Sequence, residues 1–374
     1  MTLNRLADAK PLGASAVALA PPPRFAHVIT RIELILVPLG AIIVSLAIFG
    51  VFVAVLGTNP FEVYGSIYKG AFGSWFSWQN TLQRAAPLIL TALCTAIPAR
   101  LGLIVIGGEG AFVVGALAAV AAAVPLVGAP YIVGMGGMML AAMITGGLWI
   151  GLSGALRVYR GVNETISSLL LNYIAIALMN HLISGPMRDP TVVHRPSSWS
   201  IGEAFTLGKL PGTNVHWGLV IGILVCIVAY ILMRHTIFGF AARIVGGNPR
   251  AAAMIGLPIG RLVILACMLG GAAAGLAGMI EVAAGEGRVS SSIVVGYGYT
   301  GILIAFIARQ NPLAVIPAAI LLGGIRASGG LLQRWHDLPD ATVLVLQGIM
   351  FIVILMSMPV YARLKRSVKA SIHG

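Results

Sequence analysis

The sequence predicts an all-α fold, a polytopic bundle of about ten transmembrane helices. Three observations predict it. Of 374 residues, 58% are hydrophobic and only 9% charged, with a mean hydropathy of +0.96, far from the balance of water-soluble domains. Uncharged stretches recur, among them Leu34 to Leu56, Trp217 to Met233, Leu262 to Ile280 and Ala341 to Met358, each long enough to cross a hydrocarbon core of about 30 Å as a helix. A barrel would instead show short segments of alternating polarity, and the chain lacks that pattern.

Taken in order, the spans are read at 34–56, 82–99, 101–124, 131–153, 165–184, 216–233, 262–282, 297–308, 313–327 and 341–360. The eighth and ninth are short and separated by "RQNP", so one bent hairpin inside the bundle is the alternative for that pair. Residues 1–33 precede the first span as a cytoplasmic tail. Their run "LGASAVALAPPP" resembles a signal peptide only weakly and ends in three prolines. Residues 361–374 form a basic cytoplasmic tail containing "RLKRSVK". With both ends inside, 16 of the 24 lysines and arginines fall on the cytoplasmic side and 8 outside (Lys69, Arg84, Arg188, Arg195, Lys209, Arg288, Arg326, Arg334), as retention of positive loops requires.

Small residues crowd "GGEGAFVVGALAAVAAA" and "GGAAAGLAGMIEVAAGEG", where helix backbones approach closely in lipid. Each stretch also carries acidic residues, and the two halves after the first span are open to a reading as a diverged inverted repeat. The longest outer loop, 185–215, is rich in turn formers and serves either an extracytoplasmic partner or simple connection.

The net charge of +13 does not indicate nucleic acid, because the charges sit at span ends rather than on one soluble face. Cys94, Cys226 and Cys267 all lie inside apolar runs, which supports neither a disulfide framework nor a metal site. There is no G-x-x-x-x-G-K-[ST] loop, no H-E-x-x-H and no G-x-S-x-G. The chain is therefore not expected to be an enzyme or to need a metal or cofactor, and any energy from ATP must come through another subunit.

What remains is a sparse polar set at membrane depth. Glu109 follows Gly107 and Gly108, where a glycine break would free backbone groups to line a cavity. An ionisable group there is a functional candidate, with pairing to Arg100 or a capping role as the alternative. Asn172 and Tyr173 either bond a polar solute or join helices. Glu281 joins the candidate pathway on the same grounds. Asn163 and Glu164 read as a helix cap and first-turn acid. One polar insert stands apart: in "RIVGGNPRAAAMIGLP" (243–258), Asn248-Pro249 starts a short helix and Gly256 with Pro258 ends it.

Four motifs carry a family resemblance: "GVNETISSLLLNYIA" (161–175), "ARIVGGNPRAAAMIGLPIGR" (242–261), "GAAAGLAGMIEVAAG" (271–285) and "GYGYTGILIAFIARQNPLAVIPAAILLGGIRASG" (296–329). In order and spacing the chain resembles permease subunits of bacterial ABC importers, in the nucleoside and simple-sugar branch of the branched-chain amino acid/ribose permease superfamily. The resemblance makes 34–360 the permease domain. It implies a pore subunit in the bacterial inner membrane that works with a second permease, either a paralogue or itself, with ATP-binding ABC subunits, and with an extracytoplasmic solute-binding protein. It also implies that 242–261 is a coupling segment seated on the ATPase, with Arg243, Gly247, Asn248, Pro249, Ala252 and Gly256 as its residues, and that Gly107, Glu109, Asn172, Tyr173 and Glu281 belong to the substrate pathway. One departure stands out. Relatives usually read Asn-Ile-Gly-x-Glu-Gly-Gln at the third span, whereas this chain reads "VIGGEGA" with Val105 and Ala111. An ion-gradient-driven transporter using Glu109 or Glu281 is the alternative function, and a membrane-embedded enzyme is disfavoured.

Overall fold

The structure, a computed structural model, describes residues 24–192 and 195–373, with side chains for 39–192 and 195–357. Most of the expected N-terminal tail, residues 1–23, lies outside the described residues, as do the side chains of the basic C-terminal tail. Fourteen α-helices are described: α1 (Arg24–Val55), α2 (Pro60–Phe72), α3 (Trp75–Ala99), α4 (Gly108–Ala123), α5 (Tyr131–Arg160), α6 (Glu164–Ser184), α7 (Gly218–His235), α8 (Ile237–Gly247), α9 (Pro249–Met254), α10 (Ile259–Ala284), α11 (Tyr297–Ile307), α12 (Pro312–Ala327), α13 (Gly329–His336) and α14 (Thr342–His373). Among the described residues there are isolated β-bridges but no strand.

Each of the ten expected spans falls on one of these helices. By length and composition seven qualify outright, with α12 and α13 counted together, or eight if α1 and α2 form one span bent by 117°. The count of ten is thus approximate, because α11 and the described apolar part of α14 are short. At 11 residues and 1.5 Å per residue, α11 is about 16 Å long, roughly half a hydrocarbon core. The eighth span is a half-helix.

α3 and α10 are the most buried spans, followed by α4 and the α12–α13 span. α10 packs on α4 and α5, and α3 packs on α11 and α12. Glycines permit the approach: a Cβ on Gly270 would lie 2.7 Å from the Cys94 carbonyl of α3, and one on Gly146 2.5 Å from the Gly271 carbonyl across α5 and α10. Lipid provides no hydrophobic force between helices, so such close backbone packing is what holds them. The small-residue stretches identified in the sequence are these faces.

Two helices have no counterpart in the sequence reading. α2 starts at Asn59, whose side chain accepts from the Phe61 N–H at 3.0 Å, and packs along α12 and α13. Exposed Tyr68, Trp75, Phe76 and Trp335 gather at this end of the bundle, where an aromatic belt would meet the lipid interface. The long loop 185–217 is pinned over the end of α10. The Leu207 N–H donates to the Ala283 carbonyl at 2.7 Å, the Ile201 N–H to Gly287 at 2.9 Å and the Ser198 N–H to Val289 at 2.8 Å. Phe205 is buried. Asp189 lies 3.5 Å from Arg288, and the Thr191 hydroxyl and N–H hold its carboxyl below the usual carboxylate range.

Candidate functional site

The chain between α3 and α4 is not helical. Residues 103–106 run extended through the bundle, and in a membrane each of their backbone groups needs an internal partner. One face of α6 supplies most of them. Asn163 caps the helix by accepting from the Thr165 N–H at 2.8 Å. The Glu164 carboxylate accepts from the Ile104 N–H at 3.2 Å and pairs with Arg157. The Thr165 hydroxyl donates to the Ile104 carbonyl at 2.7 Å, and the Ser168 hydroxyl accepts from the Ile106 N–H at 3.0 Å. The Asn172 amide accepts from the Gly110 N–H at 2.7 Å and donates to the Ile106 carbonyl at 2.9 Å. From the opposite side the Thr95 hydroxyl donates to the Val105 carbonyl at 3.0 Å. A polar row at 164, 168 and 172, four residues apart, is the signal that sequence reasoning could have used for Glu164, Thr165 and Ser168.

Glu109 closes this knot. It is fully buried, and its carboxylate accepts from the Gly296 N–H at 2.8 Å and the Gly298 N–H at 2.6 Å. An anion thus sits on the N-terminus of half-helix α11, where the free N–H groups and the helix dipole favour it. Gly108 of α4 and Gly298 of α11 face each other, a Cβ on Gly108 lying 3.5 Å from the Gly298 Cα. Two interrupted helices meet start to start, and Gly107 leaves room for Ser168 beside them. Arg100 does not pair with Glu109; its Nε donates to the Gln310 carbonyl at 3.1 Å.

The five expected pathway residues therefore separate. Gly107, Glu109 and Asn172 belong to one knot. Tyr173 is 61% exposed on the outward face of α6. Glu281 lies in a different place, a polar cavity of about 240 Å³ shared with Asn80, Gln83, Arg84, His216 and Tyr297. In the loop before α7, the His216 Nδ1 accepts from the Gly218 N–H at 3.1 Å, and burial holds this imidazole below its usual range. Val105 and Ala111 are fully buried; in this fold their side chains pack inside.

Beside the knot a mostly apolar cleft of about 420 Å³ opens between α11 and α14, bordered by Ile106, Tyr299, Thr300, Leu344, Gln347 and Phe351. Ile106, whose carbonyl accepts from the Asn172 amide, borders this cleft and joins it to the knot.

At the other end, α8 and α9 form a compact elbow. The Asn248 side chain accepts from the Arg250 and Ala251 N–H groups at 3.1 and 3.2 Å, Pro249 takes the first helical position, and Gly256 has φ +77°. Ala252 is buried, and the outward face presents Arg250 with Met254 and Ile255, 82% and 63% exposed. Gly247 ends α8 with open space around it, and the Arg243 Nε bonds back to the Gly239 carbonyl at 3.2 Å.

Comparison with known proteins gives this arrangement its context. Residues 77–355 match the family described as branched-chain amino acid transport system / permease component. This chain belongs to that family. It is 33% identical to the glucose ABC transporter permease protein TsgB13 of Haloferax volcanii, over 86% of this chain and 87% of that protein. It is 30% identical to the guanosine ABC transporter permease protein NupP of Bacillus subtilis, over 80% and 86% respectively. Among solved structures, a chain of PsaBC from Streptococcus pneumoniae is 15% identical and superposes with a TM-score of 0.40, covering 79% of this chain and 95% of that one.

Proposed function

We propose that this permease is the transmembrane subunit of an ATP-driven importer, carrying a nucleoside or simple sugar into the cytoplasm by alternating access. The observation that carries the reading is the match of 77–355 to a transport permease family, with a glucose and a guanosine permease among the relatives. The partners are an ATP-binding subunit, a second permease (a paralogue or another copy) and an extracytoplasmic solute-binding protein. The site is the bacterial cytoplasmic membrane, with both termini cytoplasmic.

Within that reading the α8–α9 elbow, residues 242–261, takes the ATPase. A six-residue helix capped at both ends is a stiff element, and exposed Met254 and Ile255 offer an apolar knob for a groove on the partner. The knot of Gly107, Glu109 and Asn172 frames the solute route, with Tyr173 on its outward face. Glu281 guards the outer polar cavity. The experiment is recovery of the tagged chain from gently solubilised native membranes, with the co-purifying chains identified by mass spectrometry. An ATP-binding subunit and a permease partner are expected; the chain alone, under conditions that keep other transporters assembled, would contradict the reading.

A further inference from the structure

We propose that the cleft between α11 and α14 seats the base of a nucleoside, and that Gln347 reads the edge of that base. The proposal rests on the importer reading and narrows its solute from two classes to one.

Gln347 is 5% exposed, and the Thr300 hydroxyl donates to its Oε1 at 3.1 Å, which fixes the amide. The other arm, Nε2, is buried and has no hydrogen-bond partner among the described residues. An unmade bond on a buried amide is costly, and more so at membrane depth, where no bulk water compensates. The amide borders a cavity of about 420 Å³, within the roughly 300–1,000 Å³ of small-molecule sites. An acceptor on a bound solute would complete it.

The lining separates the two solute classes. A hexose carries hydroxyls around its whole ring, and each one buried without a partner is penalised. This cleft offers few polar side chains, chiefly Tyr299, Thr300 and Gln347, on an otherwise apolar wall. A nucleobase has the complementary character. Its flat faces stack on aromatic rings, here Tyr299 and Phe351, and its few polar groups lie along one edge for an amide to read. The knot backbone at Ile106 and Gly296 forms the adjoining wall, so a base seated here lies beside the Glu109 staple.

The test uses right-side-out vesicles, loaded with ATP, from cells making the complete transporter. Initial uptake of labelled inosine, adenosine, uridine and glucose is measured for wild type and for Gln347→Leu. Wild type is expected to import nucleosides without competition from glucose. Gln347→Leu is expected to raise KM for inosine about tenfold and to flatten the preference for inosine over adenosine, which present an acceptor (the 6-carbonyl) and a donor (the 6-amino group) at the same place on the base edge. If the variant does not reach the membrane, Thr300→Val, which frees the amide to turn, is expected to flatten the same preference. ATP-driven uptake of glucose alone, or an equal loss for every nucleoside with the preference intact, overturns the proposal and leaves the importer reading standing. No ATP-dependent uptake of any solute overturns the importer reading, and the proposal with it.

Discussion

Glu109 shows how a single residue sets the local architecture. Its two carboxylate oxygens take the first N–H groups of α11, so a group that the sequence marks as a solute or ion ligand is already fully engaged in the protein. Hydrogen bonds to a charged acceptor are worth about 1.5–3 kcal/mol each. Glu109→Gln keeps the shape but offers one acceptor and turns an amide NH2 donor toward an N–H, so it is expected to lower stability by about that amount. Asn172→Leu leaves the Gly110 N–H and Ile106 carbonyl orphaned, at about 1–3 kcal/mol for each group. Thermal unfolding of the purified protein in detergent, followed by exposure of its buried cysteines, measures both. Unchanged unfolding for both variants would remove the structural role and return Glu109 to the ion-ligand alternative.

Among the elements, the α8–α9 elbow and the half-helix α11 are the most distinctive. The sequence specified the elbow closely: Asn248, Pro249 and Gly256 are local signals with local causes, and each appears where its chemistry requires. It did not specify which elbow residue faces outward. Ala252 is buried and Gly247 borders open space, so a bulky charge at the first would disturb packing and at the second would meet nothing. Met254 is the informative position. Met254→Asp is expected to leave membrane insertion intact, to reduce solute uptake at least tenfold and to spare the ATPase activity of the assembly, as measured by uptake and phosphate release on the same preparation. Uptake equal to wild type would detach α9 from coupling. The α6 ladder was legible only in part. Polar residues at 164, 168 and 172 show a helical face, but their partner is an extended segment some 60 residues away in sequence, and no local pattern encodes that pairing. Likewise α2 and α13 lie beside longer apolar runs that dominate the hydropathy signal, and the buried amide of Gln347 is visible only once α11 and α14 are packed.

For the whole molecule, composition alone established an all-helical membrane protein, and the order of motifs placed it among permeases. What packing added is the set of contacts, α3 with α11 and α12 and α10 with α4 and α5, and the junction where α4 and α11 start side by side. Such a junction of helix starts is suited to framing a fixed solute site about which neighbouring helices move. The elbow and the cleft lie on different parts of this frame; under the proposed coupling role of α9, its motion would reach the junction through α8 and α10, which flank it in sequence. The direct measurement is solute uptake by the purified assembly in proteoliposomes, with ATP supplied on the side bearing the ATPase and with ion gradients imposed or collapsed independently. Uptake that requires ATP and is indifferent to the gradients is the expected result. Uptake that persists without ATP and follows a proton or sodium gradient would contradict it.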